Sequence, residues 1–277
     1  MNSDSDSDVD RGSDGDSLEE NSVASEFDDS FASDDDSFEE LDILSGGPSI
    51  RNFERIKNNN SRLEYFGVNF LDMNDEEWEE LGLDISNNTH LKHISFNQNS
   101  INDHKASFFF SGLRRSSSIE GLVINAQSIE GVGIDEHGDG ELSVVGVRSM
   151  VPFLQNTSNL RKLALSGNNI QSEGFNTMFR ALRDSPIETI FCSNCGIESL
   201  EIDESSIPRK FASLHLQENS INADGCRELA KLLQGESSSM EGLNLDGNQI
   251  DDDGVAFLVD ALRGNTSLKI LQSYIFQ

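Results

Sequence analysis

Cys192 and Cys195 stand in a C-x-x-C, the spacing of a redox pair or of half a zinc site. A second such pair would be needed to close a zinc tetrahedron, and the third cysteine, Cys226, is alone. The stretch DEHGDGE, Asp135 to Glu141, has the clustered carboxylates and glycines of a calcium loop. In the EF-hand frame with Asp135 first, Asp139 and Gly140 fall on a ligand position and on the required glycine. His137 then takes a ligand position, and Gly146 stands where a bidentate Glu is needed. The frame fails, and an acidic surface loop is the plainer reading. The five histidines, at 90, 93, 104, 137 and 215, could act as bases only where they converge on a nucleophile or carboxylate. Ser117, behind Arg114 and Arg115 in RRSSS, has the spacing of a basophilic kinase site, against the simpler reading of an Arg-rich helix end. These residues form no catalytic, cofactor-binding or metal constellation, so the chain reads as a non-enzyme that needs no cofactor.

The elements that carry them follow a repeat. Eight segments read apolar-x-x-apolar-x-apolar-x-x-Asn-x-Ile or a near variant. The clearest are Leu160, Leu163, Leu165, Asn168, Ile170 and Met240, Leu243, Leu245, Asn248, Ile250. The copies start at Leu63, Leu91, Ile119, Leu160, Ile187, Phe211, Met240 and Leu268, in steps of 28, 28, 41, 27, 24, 29 and 28 residues. The apolar pair two residues apart shares one face of a short strand. A single repeat cannot bury that face; its neighbours must. The Asn stands where the strand turns away, and its amide can bond backbone groups in its own coil and the next. Helical spacing follows, as in Gly254, Val255, Phe257, Leu258, Ala261 and Leu262, with Asp224 and Asp251 to Asp253 at helix starts. In this register Cys192 is an inward strand residue and Cys195 replaces the ladder Asn, so both read as structural thiols. The long third step is an insertion at about 130–143, placed after Ile129 of the third copy. The short fifth step leaves ESLEIDESSIPRK, with Pro208, where a helix is due, and predicts an irregular or extended segment.

The template, and the N-x-I-x-x-x-G before the helix at Asn168, Asn219 and Asn248, resemble the ribonuclease-inhibitor-like subclass of leucine-rich-repeat proteins. The resemblance covers about Ser61 to Gln277. It implies an α/β solenoid, a horseshoe with parallel strands on the concave face and helices on the convex face, with about seven full repeats and a partial one. It also implies a protein-binding scaffold. The subclass contains activators of the Ran GTPase as well. Their acidic tail is C-terminal, whereas this chain's is N-terminal, and no loop matches their catalytic arginine. A chaperone of basic proteins such as histones, by likeness to acidic leucine-rich nuclear phosphoproteins, is the other alternative.

Composition bounds the partners. The first 42 residues hold 17 of the 50 acidic residues and, in Arg11, one of the 20 basic ones. Residues 1–44 therefore read as an acidic disordered tail, too poor in apolar surface to offset ordering entropy. Residues 45–62 read as an N-terminal capping segment, in which Ile50, Phe53 and Ile56 form a short helix, and 63–277 as the repeat domain. Eight tail serines have Asp or Glu three residues on, so kinase modification of the tail is plausible on composition. The net charge of −30 argues against direct nucleic-acid binding and against an anionic membrane. With no apolar span, no visible signal peptide and three cysteines, the chain reads as intracellular, cytoplasmic or nuclear.

Strand residues between the buried ones face the concave side. Tyr65, His93, Lys162 and His215 fall there, and Val123, Ala164 and Phe191 should line up as an apolar streak on three adjacent strands. These seven are the candidate partner-binding residues, with Phe191 expected as an exposed aromatic anchor. The partner is expected to be a protein.

Overall fold

The computed structural model describes residues 50–277 apart from 69–70, 72, 98–100, 127–140, 235–237 and 274–277. The expectations for the tail, the first part of the capping segment and the DEHGDGE loop lie outside the described residues. Eight strands form one open parallel sheet in sequence order. They are β1 (Tyr65–Val68), β2 (His93–Asn97), β3 (Gly121–Asn125), β4 (Lys162–Ala164), β5 (Thr189–Phe191), β6 (Ser213–His215), β7 (Gly242–Asn244) and β8 (Ile270–Gln272). The helices are α1 (Ile50–Lys57), α2 (Asp75–Asn87), α3 (Asp103–Gly112), α4 (Val144–Asn156), α5 (Gln171–Ala181), α6 (Ala223–Leu233) and α7 (Asp252–Leu262). This is the α/β solenoid that the repeat predicts.

Strand residues two apart point inward and are buried: Ile94 with Phe96, Leu122 with Ile124, Leu163 with Leu165, Leu214 with Leu216. The helices close the other side of the core with aromatic rings. Trp78 of α2, Phe96 of β2 and Phe109 of α3 pack with centroids 5.1 to 6.2 Å apart. At the first coil, Ile56 of α1 is buried and Phe53 packs edge-on against Phe66 at 5.7 Å. At the other end Leu271 is 38% exposed, whereas its counterpart Leu243 is 1% exposed.

The Asn ladder forms as its chemistry requires. The Asn219 amide donates to the carbonyls of Leu216 in its own coil and Cys192 in the preceding one, at 3.0 and 2.9 Å. Its Oδ1 accepts from the N–H groups of Cys195 and Ile197, both at 3.0 Å. Asn248 bonds Leu216, Leu245 and Ile221 in the same way, and Asn168 bonds Leu165, Ile124 and Leu142. The partner of Asn168 corrects the register of the third repeat. The place that Ile170, Ile221 and Ile250 hold in their coils is taken by the fully buried Leu142, whose N–H bonds Asn168 Oδ1. The insertion thus falls inside the template, before its last apolar position, and the pattern resumes at Leu142. Ser143 then caps α4, whose first turn is also bonded by the Asp103 carboxylate through the N–H groups of Ser143 and Gly146 at 2.8 Å.

Cys195 interrupts the ladder. Its thiol donates to the Leu165 carbonyl at 3.2 Å, but sulfur is a poor acceptor. Ile170 N–H turns back to Asn168 O instead, and Gln171 reaches Cys195 O with φ 57°, in the left-handed region. In consequence α5 has no side-chain N-cap, whereas Asn74, Asn102, Ser143, Asn222 and Asp251 cap α2, α3, α4, α6 and α7.

After β5 the expected helix is absent, as the composition of that stretch predicts. Residues 198–203 run extended, followed by one 3-10 turn, Glu204–Ser206. Leu200 and Ile202 alternate inward and fill the core in the helix's place. The backbone is satisfied by flanking side chains. Ser172 accepts from Glu198 and Ser199, Asn176 accepts from Glu201, and Glu228 and Lys231 bond the two polar groups of Ile202.

Helices α2 and α3 cross at two glycines. A Cβ on Gly82 would meet Phe109 O at 2.1 Å, and one on Gly112 would meet Glu79 O at 2.2 Å. Both obstacles are backbone and cannot swing aside. Gly→Ala inside a helix ordinarily stabilises by about 0.5–1 kcal/mol. Here the clash should win, so Gly82→Ala should lower stability by about 3 kcal/mol. Gly264→Ala, with nothing within 4 Å of its Cβ, should stay within about 0.5 kcal/mol of the parent. Urea unfolding of the two variants checks this; a Gly82→Ala protein as stable as the parent would refute the crossing.

Candidate functional site

The sheet register sets the concave face. One row of partners runs Tyr65, His93, Gly121, Lys162, Thr189, Ser213, Gly242, Ile270. A second runs Gly67, Ser95, Val123, Ala164, Phe191, His215, Asn244, Gln272. The structure therefore places Val123, Ala164 and Phe191 side by side, and Lys162 in the adjoining row. His93 and His215 are four strands apart, on β2 and β6, and share no site. Tyr65, on β1, is exposed, and its ring lies over Gly67: a Cβ there would meet the Tyr65 hydroxyl at 2.5 Å.

Phe191, expected as an exposed anchor, is half-buried, with His215 and Lys162 against its ring. His215 stacks on it at 4.3 Å between centroids and 14° between planes. The Lys162 ammonium lies 4.9 Å from the ring centre, a cation–π contact. Ala164 and His215 are themselves buried. What the middle of the face presents is thus the edge of Phe191, the half-buried Val123 and the Lys162 head. The short fifth repeat does not fold over this streak, since its extended segment is bonded to α5 and α6. The insertion lies outside the described residues.

The two histidines differ from free imidazole for one main reason. Burial lowers His215 to about 4, and the Lys162 charge pushes the same way. Its Nε2 is 3.0 Å from Ser213 Oγ. His93 is also lowered, by burial first, with Glu120 opposing. Cys192 and Cys195 are buried free thiols; their mutual hydrogen bond, then burial, holds Cys192 well above the ordinary thiol range. That is the opposite of a reactive thiolate. Among the described residues no group of three His, Cys, Asp or Glu could hold a metal ion.

One row escaped the sequence reading. The residue before each strand bonds its neighbours' backbone in strict order, and the row reads Glu64, Lys92, Glu120, Arg161, Glu188, Ala212, Glu241, Lys269. The signs alternate everywhere except at Ala212. Lys92–Glu64, Arg161–Glu188 and Lys269–Glu241 are ion pairs of 2.8, 3.1 and 2.9 Å. The signal was present in the repeat, one position after each first apolar residue, but charged residues there look like ordinary surface.

The leucine-rich-repeat family model matches residues 157–175 and 236–259, the two coils with the most regular template. Over 212 residues the chain is 26% identical to the human NACHT, LRR and PYD domains-containing protein 2, covering 76% of this chain and 16% of that protein. It is 25% identical over 156 residues to the Mus musculus ribonuclease inhibitor, covering 44% of this chain and 34% of that one. The chain is a leucine-rich-repeat protein. Its kind is the ribonuclease-inhibitor-like one. A Dictyostelium discoideum leucine-rich repeat-containing protein, AAC1, is 30% identical over 125 residues, 42% of this chain and 16% of its own length. The chain thus spans about a third or less of the length of these relatives. Leucine-rich-repeat proteins are in general protein-binding scaffolds.

The histidine of the clamp supplies a test. The unfolded pKa is near 6.5 and the folded one is about 4, so above 6.5 both states are neutral and the group costs nothing. As pH falls from 6.5 to 4 the unfolded state binds a proton that the folded state refuses, and stability drops by up to about 3 kcal/mol. His215→Gln should remove that part of the acid loss, read from urea midpoints between pH 7 and 4. A His215 imidazole that titrates near 6.5 by NMR would contradict the buried clamp.

Proposed function

We propose that this protein is a non-catalytic intracellular scaffold that binds a protein partner across its concave sheet face. The observation that carries the reading is the register. Eight strands hold their variable residues in two continuous rows, and the middle of those rows is a fixed apolar step of Val123, Ala164 and Phe191 clamped by Lys162 and His215. Rigid apolar edges beside polar neighbours are how interface centres are built. Tyr65 and His93 extend the adjoining Lys162 row toward the first strand. Three buried free thiols fit a reducing compartment.

The test is comparative. Proteins recovered with the full chain from its source cell are compared with those recovered by Phe191→Ala and by Val123→Arg, both first shown to unfold at the parent's temperature. Loss of the same set of proteins from both variants is expected, with affinity down by about 10-fold or more. A recovered set that neither variant changes would remove the concave face as the interface.

A further inference from the structure

The alternating row has one defect, and the defect has a chemistry. Glu120 lies between Lys92 and Arg161, so a cation stands on each side of it. Glu188 and Glu241 each have a cation on one side only, Arg161 and Lys269, at 3.1 and 2.9 Å. Between them the alternation requires a positive charge, and the chain supplies the methyl group of Ala212. Neighbouring strands are about 4.8 Å apart, so the two carboxylate-bearing strands are about 10 Å apart with a small residue between. The next row keeps the space open with Ser213 and Gly242. His215, held neutral, adds no competing charge, and Lys162 is retained over Phe191 two strands away.

We propose that the concave face takes a protein segment that presents a lysine or arginine over Ala212, between Glu188 and Glu241. The inference deepens the reading above and rests on it. Two half-exposed carboxylates on separate strands do not hold a free ion against solvent. A cation carried on a chain already seated on the face loses less entropy and meets both. The guest side chain completes the sign pattern that the other strands complete internally, so it sets the partner's register along the sheet. The net charge of −30 steers a basic partner toward the protein, and the defect decides where its cation rests.

Random peptides displayed on phage are selected on the full chain, and the selected peptides are synthesised and titrated against variants by fluorescence anisotropy. Peptides that lose affinity to Phe191→Ala are those on the concave face. These are expected to carry Lys or Arg and to bind Ala212→Lys about 10-fold more weakly, because the new lysine takes the guest's place. The Glu188→Gln, Glu241→Gln double variant should show a similar loss, as should citrulline in place of the peptide's Arg. The thermal midpoint of Ala212→Lys should be equal to or above the parent's. Concave-face peptides that bind Ala212→Lys as they bind the parent, or that lack a basic residue, overturn this inference and leave the wider reading standing. Failure to select any peptide sensitive to Phe191→Ala overturns both.

Discussion

The coils of β4, β6 and β7 end their strands with backbone groups that a ladder Asn must help to pair. The amide of one buried Asn closes them in two coils at once. Asn219 alone bonds five backbone residues, two N–H donors and three carbonyls, divided between neighbouring coils. An unpaired buried backbone group costs about 1–3 kcal/mol, so the ladder fixes the offset of one coil on the next more sharply than apolar stacking does. Leucine tolerates a sliding neighbour; a carbonyl 2.9 Å from its donor does not. Strand register follows from that offset, and the rows of the concave face follow from the register.

The same dependence explains where the fold departs from its template. Cys195 can give a hydrogen bond to a carbonyl but takes none from the backbone N–H groups that a ladder Asn would serve, and the deficit is not absorbed locally. It reappears in the preceding coil as a left-handed Gln171 and an uncapped α5. Cys195's own repeat also lacks its helix, and Ser172 and Asn176 of α5, with Glu228 and Lys231 of α6, replace the missing hydrogen bonds one by one. Irregular structure is tolerated there because both neighbours bring side chains to it. The clamped Phe191 belongs to this coil, so the most specialised part of the face stands on the least regular part of the scaffold.

What the sequence disclosed divides along the same line. Strand positions, ladder residues, the helix starts marked by Asp224 and Asp251, and the missing helix before Pro208 are each decided by one residue's own chemistry or by spacing along the chain. They were legible. The orientation of Phe191 is decided by Lys162 and His215, which come from other coils, and a linear reading could place the ring but not cover it. Leu142 was missed because the insertion hides where the template resumes; only the amide of Asn168, a coil later, reveals it. Gly82 and Gly112 look like weak points of two helices until the crossing shows that nothing larger fits.

The charged row bears on function because of its weakness. Its ion pairs are exposed, with side chains 38 to 68% accessible, and pairs of that kind contribute little to stability. Stability therefore gives no reason for the signs to alternate across so many strands. Register is already enforced by the ladder, so the row is not needed for that either. What alternation does accomplish is to leave each strand entrance locally neutral, and a neutral rim neither repels nor attracts along its length. Against such a rim the entrance of β6 is where two carboxylates have no cation between them, each paired on its far side only. A uniformly acidic rim would draw basic chains anywhere along the sheet, whereas this one distinguishes the entrance of β6 from the other seven.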